Sequence, residues 1–288
     1  MKTLIIFEKP NQEKQIMESK HLQSIIKDKN PTTVTMFFIS NFVFEYPKNK
    51  KYNEYPLIEE VKYKNIPYLK ELEEEYDQLI IATDPDYTGH YIAAQLLLNQ
   101  YGENWKSKFK EIIIYDYYSE YSKNNSFIAQ MEDFDKNVKN AESKYFFDYN
   151  YNLNSQVLFK EIINKLDLSK KNITITKYMT LSLWLIQKEN LTDLHNIVRT
   201  INNYKGSGKY SDSRIGSPAS LIKIINNLRN IGLISGEGIT IKGEVFLNNL
   251  VKNTFDPDIS QRLFQDKDQI SKYIMKVFGR QKNKNKVL

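Results

Sequence analysis

The sequence predicts an α/β domain built on a mostly parallel sheet with flanking helices, followed by a mainly helical domain with winged-helix character. Three observations carry this. Short Ile- and Leu-rich runs alternate with helical patterns through the first part of the chain, and near-continuous apolar strands are those buried on both faces, as in parallel sheets. From about residue 120 the texture changes to long helical stretches with few strand signals. An amphipathic helix over 218–230 then leads into GLISGEGITIKG, the outline of a β wing.

Taken in order, residues 3–7 (TLIIF) form a first strand that ends in Glu8-Lys9-Pro10. Residues 11–27 read as one helix with Ile16, Leu22, Ile25 and Ile26 on its inner side. Residues 33–39 are a second strand, residues 48–67 a polar, Pro-flanked loop or extended arm, and residues 68–77 an acidic helix. QLIIAT, 78–83, is a third strand; 88–101 is a helix with Ile92, Ala93, Leu96 and Leu97 inward; EIIIY, 111–115, is a fourth strand. The expected domains are 1–118 and 119–278, with a basic, disordered tail over 279–288.

The 288 residues include no cysteine, which excludes disulfides and cysteine-based zinc sites. That points to a reducing, cytoplasmic compartment. No apolar run is long enough to span a membrane. The net charge of +6 favours anionic partners, nucleic acid first.

The chemistry-bearing stretch is IIATDPDYTGH, residues 80–90. Ligands of open α/β sheets sit at the carboxyl ends of strands. Glu8 follows the first strand, and Asp84 and Asp86 follow the third. If these strands are neighbours, three carboxylates meet, and they need a counter-charge. Oxygen-only ligands suit Mg²⁺. The plainer alternative is that Asp84 and Asp86 cap the following helix, a task for which one Asp suffices. His90, with no second His in ligand spacing, reads as a surface residue of that helix.

A strand running into Glu8-Lys9-Pro10, paired with a strand running into Thr83-Asp84-Pro85-Asp86-x-x-Gly89, resembles the toprim domain of type IA DNA topoisomerases, whose motifs read E-K-P and D-x-D-R-E-G-E. Further segments are similar in the family's order. ISNFVFEYP stands where the family has Gly-His-Leu-x-x-Leu, and DKNVKNAESKYFFDYNYNLNSQ resembles the helix ending in N-x-[ST]-R. RIGSPASLIKIINNLRNIGLI with ITIKGEVFLNNL resembles the G-I-G-T-P-A-T segment and its sequel, and DPDISQRLFQDKDQISKYIMKVF the terminal helices. The resemblance implies that Glu8, Asp84 and Asp86 hold Mg²⁺ and that Lys9 holds a phosphate.

Departures accompany it. Tyr87, Thr88 and His90 replace Arg, Glu and Glu of the second motif; Ser40-Asn41 replaces Gly-His; Gln156 and Leu221 stand where the family has Arg. Each removes charge, so the metal should bind more weakly than in a full family member. Only 60 residues separate Gln156 from Gly216, where the family inserts its gate arch and tyrosine domain. Tyr178-Met179 matches part of the family's Y-[MP]-R-T-D segment but lacks its Arg, and Leu181, Leu183, Leu185 and Ile186 fit a packing helix at least as well. Tyr178 is therefore not expected to be a nucleophile.

For nucleic acid the candidates are Asn154 and Gln156 in an aromatic stretch, Lys209, Arg214 and Ser217 in the Gly/Ser loop, and Lys223 beyond it. A helix start can hold a phosphate, and aromatic faces can stack bases. The expected function is Mg²⁺-dependent binding of single-stranded DNA by a truncated, topoisomerase-like protein without full strand passage. The rivals are a metal-dependent toprim nuclease and a catalytically silent DNA- or partner-binding protein.

Overall fold

The computed structural model describes residues 1–36, 44–64, 66, 68–120, 127–165, 174–204, 218–236, 238–250 and 266–279. The chain divides into two compact units, one of residues 1–45 and 62–142, the other of 46–61 and 143–288.

In the first unit, β1 (Thr3–Phe7) leads into α1 (Pro10–Met17) and α2 (Lys20–Ile25), then β2 (Thr32–Thr35). β3 (Gln78–Ala82) is followed by α3 (Tyr87–Tyr101), β4 (Glu111–Tyr115) and a short β5 (Ile128–Ala129). The sheet order is β2-β1-β3-β4-β5, parallel except for the antiparallel β5. The apolar strands are buried on both faces because side chains alternate. Leu4, Ile6, Leu79, Ile81 and Ile114 face a core completed by Ile92, Ala93, Leu96 and Leu97 of α3. Ile5, Phe7, Ile80, Ala82 and Tyr115 face a second core with Ile16 of α1 and Leu22 of α2. The predicted mostly parallel α/β sheet is thus present.

Two local expectations need correction. The single helix over 11–27 is two, because Ser19 starts a new helix: its hydroxyl accepts from the backbone N–H of His21 and Leu22. The acidic helix over 68–77 is only a single 3₁₀ turn, Lys70–Glu73. Its neighbouring carboxylates repel at helical spacing, while Leu72 and Tyr76 are buried. β2 ends at Thr35, and residues 37–39 of the expected strand lie outside the described residues.

α4 (Met131–Lys165) begins in the first unit and continues in the second. The second unit then holds α5 (Lys177–Lys188), α6 (Leu194–Asn203), α7 (Pro218–Asn230), the hairpin β6 (Ile234–Ser235) and β7 (Gly238–Ile239), α8 (Ile241–Asn249) and α9 (Lys267–Phe278). Its core joins Phe147 and Phe159 of α4 with Leu183 of α5, Ile201 of α6, Leu228 of α7, Phe246 of α8 and Ile274 of α9. The α5–α6–α7 cluster followed by a hairpin has the winged-helix outline that the sequence predicts. Gly238 is required there: it has φ +101, and a Cβ would stand 2.5 Å from the carbonyl oxygen of Leu191.

Candidate metal and phosphate site

β1 and β3 are hydrogen-bonded neighbours, with Phe7 opposite Ala82. The next residues, Glu8 and the Thr83-Asp84 pair, therefore leave the sheet side by side. The strand order reverses between these two strands, and such a switch point opens a crevice at the carboxyl ends.

Glu8 and Asp84 meet there. The backbone N–H of Asp84 lies 3.4 Å from Glu8 Oε2. Lys9 Nζ bridges the pair, 3.1 Å from Glu8 Oε1 and 2.9 Å from Asp84 Oδ2. The Lys9 side chain is 49% exposed, whereas those of Glu8 and Asp84 are 8% and 18% exposed. The cation is thus the most exposed member of the set.

Two residues that sequence reasoning missed brace this set. Gln12 accepts from the backbone N–H of Glu8 at 2.8 Å and of Lys9 at 3.2 Å, and donates to Asp84 Oδ1 at 3.0 Å. It stands at the N3 place of α1, three residues after Lys9 with Pro10 opening the helix, where a Gln side chain can reach back to the N-cap backbone N–H, which is a legible signal. Tyr117, just past β4, donates its hydroxyl to Asp84 Oδ1 at 2.5 Å. Its place at a third strand end was the available clue.

These contacts split the two carboxyls. Burial raises the pKa of Glu8, and the nearby Asp84 charge adds to this against the hydrogen bond from Lys9. Burial acts the same way on Asp84, but hydrogen bonds from Tyr117 and Lys9 outweigh it and hold its pKa below the usual range. Burial disfavours the Lys9 ammonium, yet its bonds to Asp84 and Glu8 prevail and raise its pKa.

Asp86 is not part of this set. Its Oδ1 accepts from the backbone N–H of Gly89 at 2.8 Å, so it is the N-cap of α3, and it is exposed. Among the described residues no three His, Cys, Asp or Glu side chains gather closely enough to hold a metal together. The expected trio is thus a pair plus a helix cap. Gly89 lets α3 start this close: a Cβ there would stand 2.9 Å from the Asp84 nitrogen and closer still to its carbonyl oxygen.

His90 is buried rather than on the surface. Its ring packs against Phe134, and its Nδ1 stands 3.1 Å from Asn137 Nδ2. Burial lowers its pKa.

Residues 3–115 match the family model of the Toprim domain. The Toprim match brings a metal-dependent, nucleic-acid-related role, of the kind that topoisomerases, primases and nucleases share. No curated protein matches the chain. Toprim domains bind Mg²⁺ through acidic residues, and the donor chemistry here fits such an ion. The Lys9 ammonium marks one point that both Glu8 and Asp84 reach.

The nucleic-acid candidates fare differently. Asn154 is fully buried, and its amide is used: it accepts from Leu57 N–H at 2.9 Å and donates to the Leu57 and Asn150 carbonyls at 2.9 and 2.8 Å. Asn150 holds the Glu59 backbone in the same way at 2.8 and 2.9 Å. Asn154 is therefore a clamp on the segment around Leu57 rather than a phosphate ligand. Gln156 is partly exposed on α4, and Lys223 is exposed on α7. Lys209, Arg214 and Ser217, like Ser40-Asn41 and the tail over 280–288, lie outside the described residues. Tyr178 is partly buried against the core of the second unit, 5.0 Å under Lys177 Nζ, which pairs with Asp148 at 2.8 Å. No helix among the described residues is long and apolar enough to cross a membrane.

Proposed function

We propose that this protein binds single-stranded DNA at the carboxyl ends of β1 and β3, with Mg²⁺ held by Glu8 and Asp84. In this reading it is a type IA topoisomerase-like protein without full strand passage. The observation that carries it is the meeting of Glu8 and Asp84 on one cation position, at a sheet switch point, inside the Toprim-matching segment. The bound cation offsets carboxylate charge and attracts a phosphate oxygen. The chain's own groups do the rest. Gln12 and Tyr117 hold Asp84 in place and Lys9 faces the backbone phosphate, while Lys209, Arg214, Ser217 and Lys223 are the candidate DNA contacts of the second unit. Only 60 residues separate Gln156 from Gly216, which leaves no room there for a gate. Tyr178 packs against the core of its own unit, which supports binding over a covalent tyrosine cycle.

Anisotropy of labelled oligothymidylate, titrated with protein in Mg²⁺ and in EDTA, tests this. Affinity should need Mg²⁺, fall steeply between about 50 and 200 mM salt, and drop in Asp84→Asn. Affinity indifferent to both cation and salt would sink the proposal. Circular single-stranded DNA tests the rivals: breaks with free ends would mark a nuclease, and protein-linked ends lost in Tyr178→Phe a covalent enzyme.

A further inference from the structure

Lys9 is an unusual neighbour for a cation site, because its ammonium already occupies the place where both carboxylates point. We infer that Lys9 is an exchangeable counter-ion: a divalent cation entering between Glu8 and Asp84 displaces its ammonium, which then takes a nucleic-acid phosphate, so that cation and nucleic acid strengthen each other's binding. The inference rests on the proposed function and adds an order and a coupling to it.

Charge and geometry support it. Glu8 and Asp84 carry two negative charges and Lys9 one positive, so the set as it stands is net −1. Such a site repels phosphate. A divalent cation between the carboxylates brings the same three side chains to net +1, and the site then attracts phosphate. Neither carboxylate is held by Lys9 alone. Asp84 Oδ1 is held by the neutral donors of Gln12 and Tyr117, and Glu8 is buried with its backbone N–H bound to Gln12. Lys9 is half exposed on a flexible stem, and an ammonium binds as a point charge without a fixed fork. It can swing to a nearby phosphate without disturbing Gln12 or Tyr117. Because the cation releases the group that binds phosphate, phosphate must in turn favour the cation by the same factor.

The test uses the full chain and Mn²⁺, counted as the free ion by its electron paramagnetic resonance signal, with and without oligothymidylate. Lys9→Met and Lys9→Gln remove the charge and keep most of the stem. Without oligonucleotide both variants should bind Mn²⁺ roughly three- to tenfold more tightly than wild type, the scale of two partly exposed ion pairs removed. Oligothymidylate should tighten Mn²⁺ binding to wild type more than to either variant, in which only the direct pull of the cation on phosphate remains. Equal or weaker Mn²⁺ binding by the variants alone would overturn the exchange, as would coupling as strong in them as in wild type. In either case the cation site itself would stand. No Mn²⁺ binding by any of the three proteins would instead overturn the proposed function, and the exchange with it. Two variants of different polarity separate the effect of charge from a packing defect.

Discussion

Gly89→Ala adds one methyl group at the first turn of α3, and two opposing effects can be weighed. Alanine is the better helix former by about 1 kcal/mol in a helix interior. Against that, the new Cβ would stand 2.9 Å from the Asp84 nitrogen and nearer still to its carbonyl oxygen. Those are backbone atoms of the turn that joins β3 to α3, so they cannot rotate away as a flexible side chain would. Overpacking against a fixed wall costs about 1–3 kcal/mol. The propensity gain is smaller at a first turn, where Asp86 already organises the helix start. The clash should win by about 1–2 kcal/mol, lowering the melting temperature by roughly 3–10 °C. The relief has to come from moving the Asp84 turn or the start of α3, so Mn²⁺ affinity should fall as well. Calorimetry with a parallel Mn²⁺ titration measures both. Gly236→Ala is the control, since a Cβ there meets nothing within 4 Å. A Gly89→Ala protein that melts at or above wild type would refute the reasoning, for it would mean that α3 can draw back from the site at no cost.

Asp86→Ala should cost about 1 kcal/mol by removing the N-cap of α3, and Asp86→Asn much less, because asparagine caps equally well; equal urea midpoints for wild type and Asp86→Ala would remove the cap role. Asn154→Ala should destabilise the second unit by about 1–3 kcal/mol, since it removes the partner of the partly buried N–H and carbonyl of Leu57; affinity for oligothymidylate per folded molecule should stay unchanged, and a specific loss of binding would restore Asn154 as a ligand. His90 has a folded pKa depressed by burial, so the unfolded chain takes up its proton first as pH falls below about 6.5. Stability should therefore drop from that pH down to the lower folded value, and His90→Gln should flatten the drop in a series of melts; equal slopes would mean that the imidazole is charged in the folded protein.

Much of the fold was legible in the residues themselves. TLIIF, QLIIA and EIIIY each run apolar or aromatic over their last four positions, and a strand that is apolar on both faces has to be covered on both sides. That alone implies parallel strands between helical layers. The motif residues Glu8 and Asp84 were equally legible, because each stands within two residues of the end of such a run. The roles of Asp84 and Asp86 were not. Two carboxylates one residue apart look alike in a sequence, and only the path of the turn sends one to the switch point and the other to a helix N–H. Gln12 and Tyr117 became site residues because β1, β3 and β4 lie side by side, and that adjacency is a property of the pairing rather than of any one strand. Asn154 shows the same limit from the other side. A polar residue among aromatics invites a ligand, but the backbone around Leu57, remote in sequence, claims both ends of its amide. Local pattern determined which segments were buried, since burial follows from the chain's own periodicity. Tertiary structure decided which polar groups face one another, because that depends on segments brought together only when the chain folds.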